Sequence, residues 1–114
     1  MIIEAILKIN PNAKVSVNAD DINQITWHNG TTPIPVADIQ AQFPIVEFDM
    51  AIEFLRAKRN KDLQDSDWTQ LPDTTLTTAE KTAWMNYRTE LRNITNGLTT
   101  VEQVNSVAFP TKPA

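Results

Sequence analysis

The chain has no cysteine, two glycines, one histidine and one tyrosine among its 114 residues. Without cysteine there is neither a disulfide nor a thiolate metal site. With only Gly30 and Gly97, no glycine-rich loop exists to cradle phosphate on backbone amides, and dinucleotide fingerprints and nucleophile elbows are absent too. His28 stands beside Asn29-Gly30 with no His, Cys or carboxylate at metal-ligand spacing, so it reads as a turn or surface residue. No apolar run approaches the roughly 20 residues that cross a bilayer. The opening Met1-Ile2-Ile3-Glu4-Ala5-Ile6-Leu7-Lys8 holds Glu4 inside its apolar stretch and lacks a basic lead, which makes it a poor signal peptide. Positive charge is short as well: 10 Lys and Arg stand against 14 Asp and Glu, for a net charge of −4 and a pI near 4.8, which argues against an electrostatic nucleic-acid binder. The expectation is a non-enzyme that needs no cofactor or metal and binds neither nucleic acid nor membrane.

What is present suits a small soluble domain: 41% hydrophobic and 21% charged residues, close to the range of ordinary globular chains. The order of patterns predicts an α+β fold, with a small N-terminal antiparallel β meander, then a two-helix hairpin, then an extended C-terminal tail. Residues 2–9 form a β-branched run, Asn10-Pro11-Asn12-Ala13 is a turn signal, and Lys14–Asn18 alternates polar with apolar as a half-buried strand does. Asp20-Asp21 marks a second turn, Ile22–Trp27 a third strand, and Asn29-Gly30 a further turn. Residues 1–32 are therefore expected to be a β arm, 33–97 a helical hairpin and 98–114 a tail. Pro33 and Pro35 bar a central strand, and Pro35 suits the start of a short helix over Val36–Gln42. Phe43-Pro44 breaks or kinks the chain before the next element.

From Ile45 to Gln64 there is no Gly or Pro, and Phe48, Ile52, Leu55 and Leu63 recur at helical spacing. That helix should fail at Asp65-Ser66-Asp67, whose side chains compete for nearby backbone. Thr77 and Glu80 read as a capping box that opens a second helix carrying Trp84, Tyr87, Leu91 and Ile94 on one stripe and closing at Asn96-Gly97. The long connection between the helices needs anchors, and Trp68, Leu71 and Leu76 are the candidates. Thr99 to Glu102 suggests another cap, opening a short turn through Val104. Both Trp68 and Trp84 are expected in the core, with part of the aromatic face meeting another chain, because small domains bury little surface alone.

Asp65 and Asp67 lack the Gly and distal Glu of a calcium loop. The run Arg56, Lys58, Arg59, Lys61 reads either as a phosphate site or, favoured by the acidic balance, as a solvated helix face. Spacing from Leu55 and Leu63 turns Arg59 inward, where its planar fork would hold Asp67 or Asp73.

The segment Arg56, Arg59, Asn60, Leu63, Ser66-Asp67-Trp68-Thr69-Gln70, Asp73, Leu76, followed by Trp84, Tyr87-Arg88, Leu91-Arg92 and Ile94, resembles the phage tail assembly chaperone domain of tail-fibre assembly proteins. Asn93 replaces an expected Asp, and the ending Val107–Pro113 is similar to the family's closing motif with Phe109 in place of Trp. The resemblance makes Arg56, Arg59, Asn60, Ser66, Asp67, Trp68, Trp84, Tyr87, Arg88 and Leu91 the motif positions. It implies a chaperone that binds a trimeric tail-fibre polypeptide in the host cytoplasm and aids its folding or trimerisation. The alternative it allows is a fibre or baseplate component retained in the virion tail. An N-terminal edge strand offering Ile2, Ile3, Ile6 and Leu7, or the tail around Phe109, is expected to contact the partner.

Overall fold

The computed structural model describes residues 1–114. Its class is α+β: one two-stranded antiparallel sheet, five α-helices and a 3₁₀ turn. The chain divides into two compact units, residues 1–50 and 51–114.

The first correction falls at the start. Residues 2–9 are not a strand but a helix, α1 (Ile2–Ile9). The composition is β-branched, yet the period is helical: Ile2, Ala5 and Ile6 are buried while Ile3, Glu4 and Leu7 face outward. A strand would have placed Glu4 on the same face as Ile2 and Ile6. Glu4 in the first turn and Lys8 in the last also suit the helix dipole. Asn10 ends the helix in an extended conformation, and its side chain accepts from the Asn12 amide at 3.1 Å.

The meander therefore has two strands, β1 (Val15–Val17) and β2 (Ile25–Trp27), in register with Val15 opposite Trp27 and Val17 opposite Ile25. Their loop turns through Ala19 and Asp20, both left-handed at φ 54° and 51°, and the Asp21 carboxylate accepts from the Asn23 amide at 2.9 Å. Asn29 and Gly30 follow with φ 54° and 73°, between a His28 carbonyl and a Thr31 amide 3.0 Å apart. Two successive left-handed residues define this turn type, and Asn-Gly is its preferred pair.

Pro35 caps α2 (Val36–Ala41), its carbonyl accepting from the Asp38 and Ile39 amides. Pro44 lies in the first turn of α3 (Phe43–Asp65), where a missing amide breaks no helical bond. The first unit closes over Ile2, Ala5, Ile6, Ala13, Ile39 and Val46, flanked by the half-buried inward residues of both strands.

In the second unit, Ile52 and Leu55 of α3 are buried and Leu63 half-buried, as their spacing predicts. After a 3₁₀ turn, Asp67–Gln70, helix α4 (Thr78–Arg92) begins with the expected box: the Thr77 hydroxyl accepts from the Glu80 amide at 3.1 Å and Glu80 from the Thr77 amide at 2.9 Å. Helix α4 stops at Arg92, short of Ile94, and Gly97 (φ 78°) instead shapes the string of turns that follows. The second cap is shifted by one residue: Thr100 and Gln103, not Thr99 and Glu102, close the box that opens α5 (Val101–Asn105). The core here is Trp84, Tyr87 and Leu91, with Leu63, Leu76 and Phe109 packed against it.

Candidate interaction site

Ser66 ends α3 by turning its hydroxyl back onto the Asp62 and Leu63 carbonyls, at 2.8 and 3.1 Å. This is the backbone competition expected of serine at a helix end. The fully buried Thr69 repeats the move one turn later, donating to the Ser66 carbonyl at 2.6 Å. Into this knot reaches Arg88 from α4. One terminal nitrogen donates to the Leu63 carbonyl at 2.6 Å and the Ser66 hydroxyl at 2.7 Å, and the other to Asp67 at 2.8 Å. The guanidinium is buried and its Nε has no partner. Asp67 itself is largely exposed, so the cation is held mainly by oxygens of the α3 end.

The expected pairing of Arg59 with Asp67 or Asp73 does not form. Arg59 donates through Nε to the side chain of its neighbour Asn60 at 2.9 Å, near the surface, and its remaining contact is a 3.5 Å approach to the Arg92 carbonyl. Residue 59 lies before the turn that redirects the chain at Ser66, so Asp67 faces α4 and meets Arg88. Arg56 and Asn60 are exposed.

Around the clasp sits an aromatic group. Trp84 is buried, meeting Tyr87 edge-on at 5.7 Å between centroids and Trp68 tilted at 6.0 Å. Trp68 is not a core residue as expected: 49% of it remains exposed. Burial pushes the Tyr87 phenol above its ordinary pKa of 10.0, and the nearby Asp62 and Asp65 charges add to the rise. The tail folds back so that Phe109 is half-buried, with the Lys58 ammonium 3.5 Å from its ring centroid. Lys112 lies 5.8 Å from the Trp84 ring.

Of the proposed contact residues, Ile2 and Ile6 are core, which removes them as exposed contacts, and Ile3 and Leu7 lie on the outer face of α1. Leu71, expected as an anchor of the connection, faces outward instead, as do Phe54 and Met85, which the sequence motifs do not single out. Phe54 is 79% exposed, and Leu71 and Met85 about half. Phe54 had a signal: it is off the buried stripe of Ile52 and Leu55, so a helix places it outward. It borders a groove of about 300 Å³ with Ala51, Leu55, Val104, Val107 and Phe109. A second groove, about 350 Å³, runs between Leu76, Lys81 and Met85. In the first unit, an open depression of about 570 Å³ is lined by Met1, Ile22 and Phe43 with Asp20, Asp21 and Glu47.

His28 shares a hydrogen bond with Ser16 at 2.7 Å in the hairpin. No three His, Cys, Asp or Glu residues come together as a metal site, and no helix is long and apolar enough to cross a membrane. The buried polar groups Ser66, Thr69 and Arg88 hold one another and the helix end, while Trp68, Leu71 and Met85 stay about half exposed. Residues 52–114 match the family model described as phage tail assembly chaperone protein, and the chain belongs to that family, with a role in phage tail assembly inside the host cell. No curated protein and no solved structure matches.

Proposed function

We propose that this chain is a tail-fibre assembly chaperone, which binds the fibre polypeptide and aids its folding or trimerisation without catalysing a reaction. The observation that supports it is the overlap of the family match with the second unit, where Trp68, Leu71 and Met85 stay about half exposed. Exposed apolar side chains on an ordered base are what shielding of an unfinished fibre requires. The motif residues Arg56, Arg59, Asn60, Ser66, Asp67, Trp84, Tyr87, Arg88 and Leu91 then serve as scaffold or its surface. Ile3 and Leu7 on α1, and the tail around Phe109, are the proposed fibre contacts.

The test is co-expression with the fibre protein, followed by size exclusion and a gel of purified virions. Co-elution with fibre and absence from virions is the expected result. Presence in the virion at fixed stoichiometry would make the chain a structural tail component. Failure to co-elute with any fibre would sink the reading.

A further inference from the structure

Residues 107–114 lie in no helix or strand, and their hydrogen bonding ends with the Val107 amide, which donates to the Val104 carbonyl at 3.3 Å. From Ala108 on, neither backbone nor side chains bond to the rest of the second unit, and Pro110 and Pro113 have no amide to donate. Side-chain contact alone holds this stretch down. Phe109 packs half-buried on the Trp84, Tyr87 and Leu91 core, with the Lys58 ammonium 3.5 Å from its ring centroid. Lys112 lies 5.8 Å from the Trp84 ring and lines a small cleft with Asp62 and Asp65. The seat is therefore built on α3 and α4, while what fills it is irregular chain. Such a segment lifts away without leaving a buried donor or acceptor unpaired.

We propose that residues 107–114 are a displaceable strap, which in the free chain covers the seat of an extended, aromatic-bearing segment of the partner. The tail itself shows what the seat takes: one ring between Lys58 and the Trp84 core, and a cation beside Asp62 and Asp65. The occupant, a segment of the fibre polypeptide, rests on the chaperone reading. The contact proposed around Phe109 is then the seat beneath that ring, not the ring. Val107 and Phe109 also wall a groove with Ala51, Leu55 and Phe54, and the tail leaves Phe54 79% exposed. A partner segment that fills the seat and also covers Phe54 gains contacts that the tail lacks, and this difference displaces the strap. Until then the strap lowers the apparent affinity by the fraction of chains that are open.

The test uses the full chain. Phe109→Ser empties the seat. Lys112→Glu loosens the strap from an exposed position, by setting a carboxylate beside Asp62 and Asp65, and leaves the seat intact. The probes are a fluorescently labelled peptide of residues 107–114, read by anisotropy, and the purified fibre protein, read by co-elution. The peptide should bind Phe109→Ser severalfold more tightly than wild type, with Lys112→Glu between them, and the same peptide carrying Phe109→Ala should not bind. Fibre binding should tighten in the same order, and excess peptide should compete it away. Far-UV spectra report the fold, and if Phe109→Ser does not fold, Lys112→Glu carries the comparison. A peptide that binds no folded variant, or binds every chain equally, would overturn the strap. Weaker fibre binding in either folded variant would overturn it too, because the tail itself would then be the contact. The expected peptide binding without fibre binding by any chain would leave the strap standing and sink the chaperone reading.

Discussion

The Arg88 guanidinium donates at 2.7 Å to the Ser66 hydroxyl, which itself donates to the Asp62 carbonyl at 2.8 Å. A side chain on α4 thus grips the last turn of α3 through a serine that has already left the helix. The pairing with Asp67 is secondary, because that carboxylate is mostly in water.

An asymmetry in stability follows from this. Arg88→Ala removes three charge-assisted bonds, two of them to oxygens of the α3 end, which should cost about 2–3 kcal/mol. Asp67→Ala removes only the solvent-facing partner and should cost under about 1 kcal/mol. Urea unfolding of the two variants checks this. Equal losses would mean that the ion pair, rather than the helix-end oxygens, holds the arginine.

The elements legible in the sequence are those decided locally. The Thr77–Glu80 box and the Trp84, Tyr87, Leu91 stripe need only residues within a few positions of one another, and both form. The end of α3 at Asp65 was legible for the same reason. Arg59 and Arg88 were not separable, since each sits next to an apolar stripe and only the turn after Ser66 decides which one Asp67 meets. In α1, four isoleucines in eight residues argue for a strand by composition. Its packing in the first unit selects the helical period instead.

The tail contact reverses the expected ranking of two basic residues. Lys58 covers the Phe109 ring, whereas Arg59 bonds to Asn60 at the surface. Lys58→Ala should therefore cost roughly 0.5–1 kcal/mol, the range for a cation over an exposed ring. Arg59→Lys should stay within about 0.5 kcal/mol, as for surface changes generally. A double-mutant cycle with Phe109→Leu measures the coupling directly. No coupling between Lys58 and Phe109 would show that the tail is held by apolar contact alone.

Tyr87 is the only tyrosine, so its ionisation can be followed by ultraviolet absorbance without assignment. Its phenol is raised first by burial and then by Asp62 and Asp65. The neutral form is thereby favoured in the folded chain. Its contribution is intact below the unfolded value near 10 and is lost as pH rises from there through the folded value. Titration above that of free tyrosine, with stability falling over the same window, is expected. Asp62→Asn should leave most of the rise, since burial is the larger cause. A phenol titrating like free tyrosine would contradict the burial of its ring.

Helix α1 makes the last prediction, because helix and strand place Ala5 on opposite sides. In the helix Ala5 is fully buried beside Ile2 and Ile6, with Glu4 outside. In a strand Glu4 would share the face of Ile2 and Ile6, and Ala5 would point away. Ala5→Leu should thus overfill a closed site and cost about 1–3 kcal/mol. Ile6→Ala should cost roughly 2–5 kcal/mol by leaving a cavity. Glu4→Ala and Ile3→Ala, both outward, should each change stability by under about 1 kcal/mol. Removing residues 1–9 should then unfold the first unit rather than merely remove a contact arm. Loss of fibre binding in that truncation alone would not show contact, so Ile3→Asp and Leu7→Asp are the informative variants, expected to keep the fold while weakening co-elution. If Ala5→Leu were tolerated and Glu4→Ala damaging, residues 2–9 would pack with the strand period and the edge-strand mode of capture would stand again.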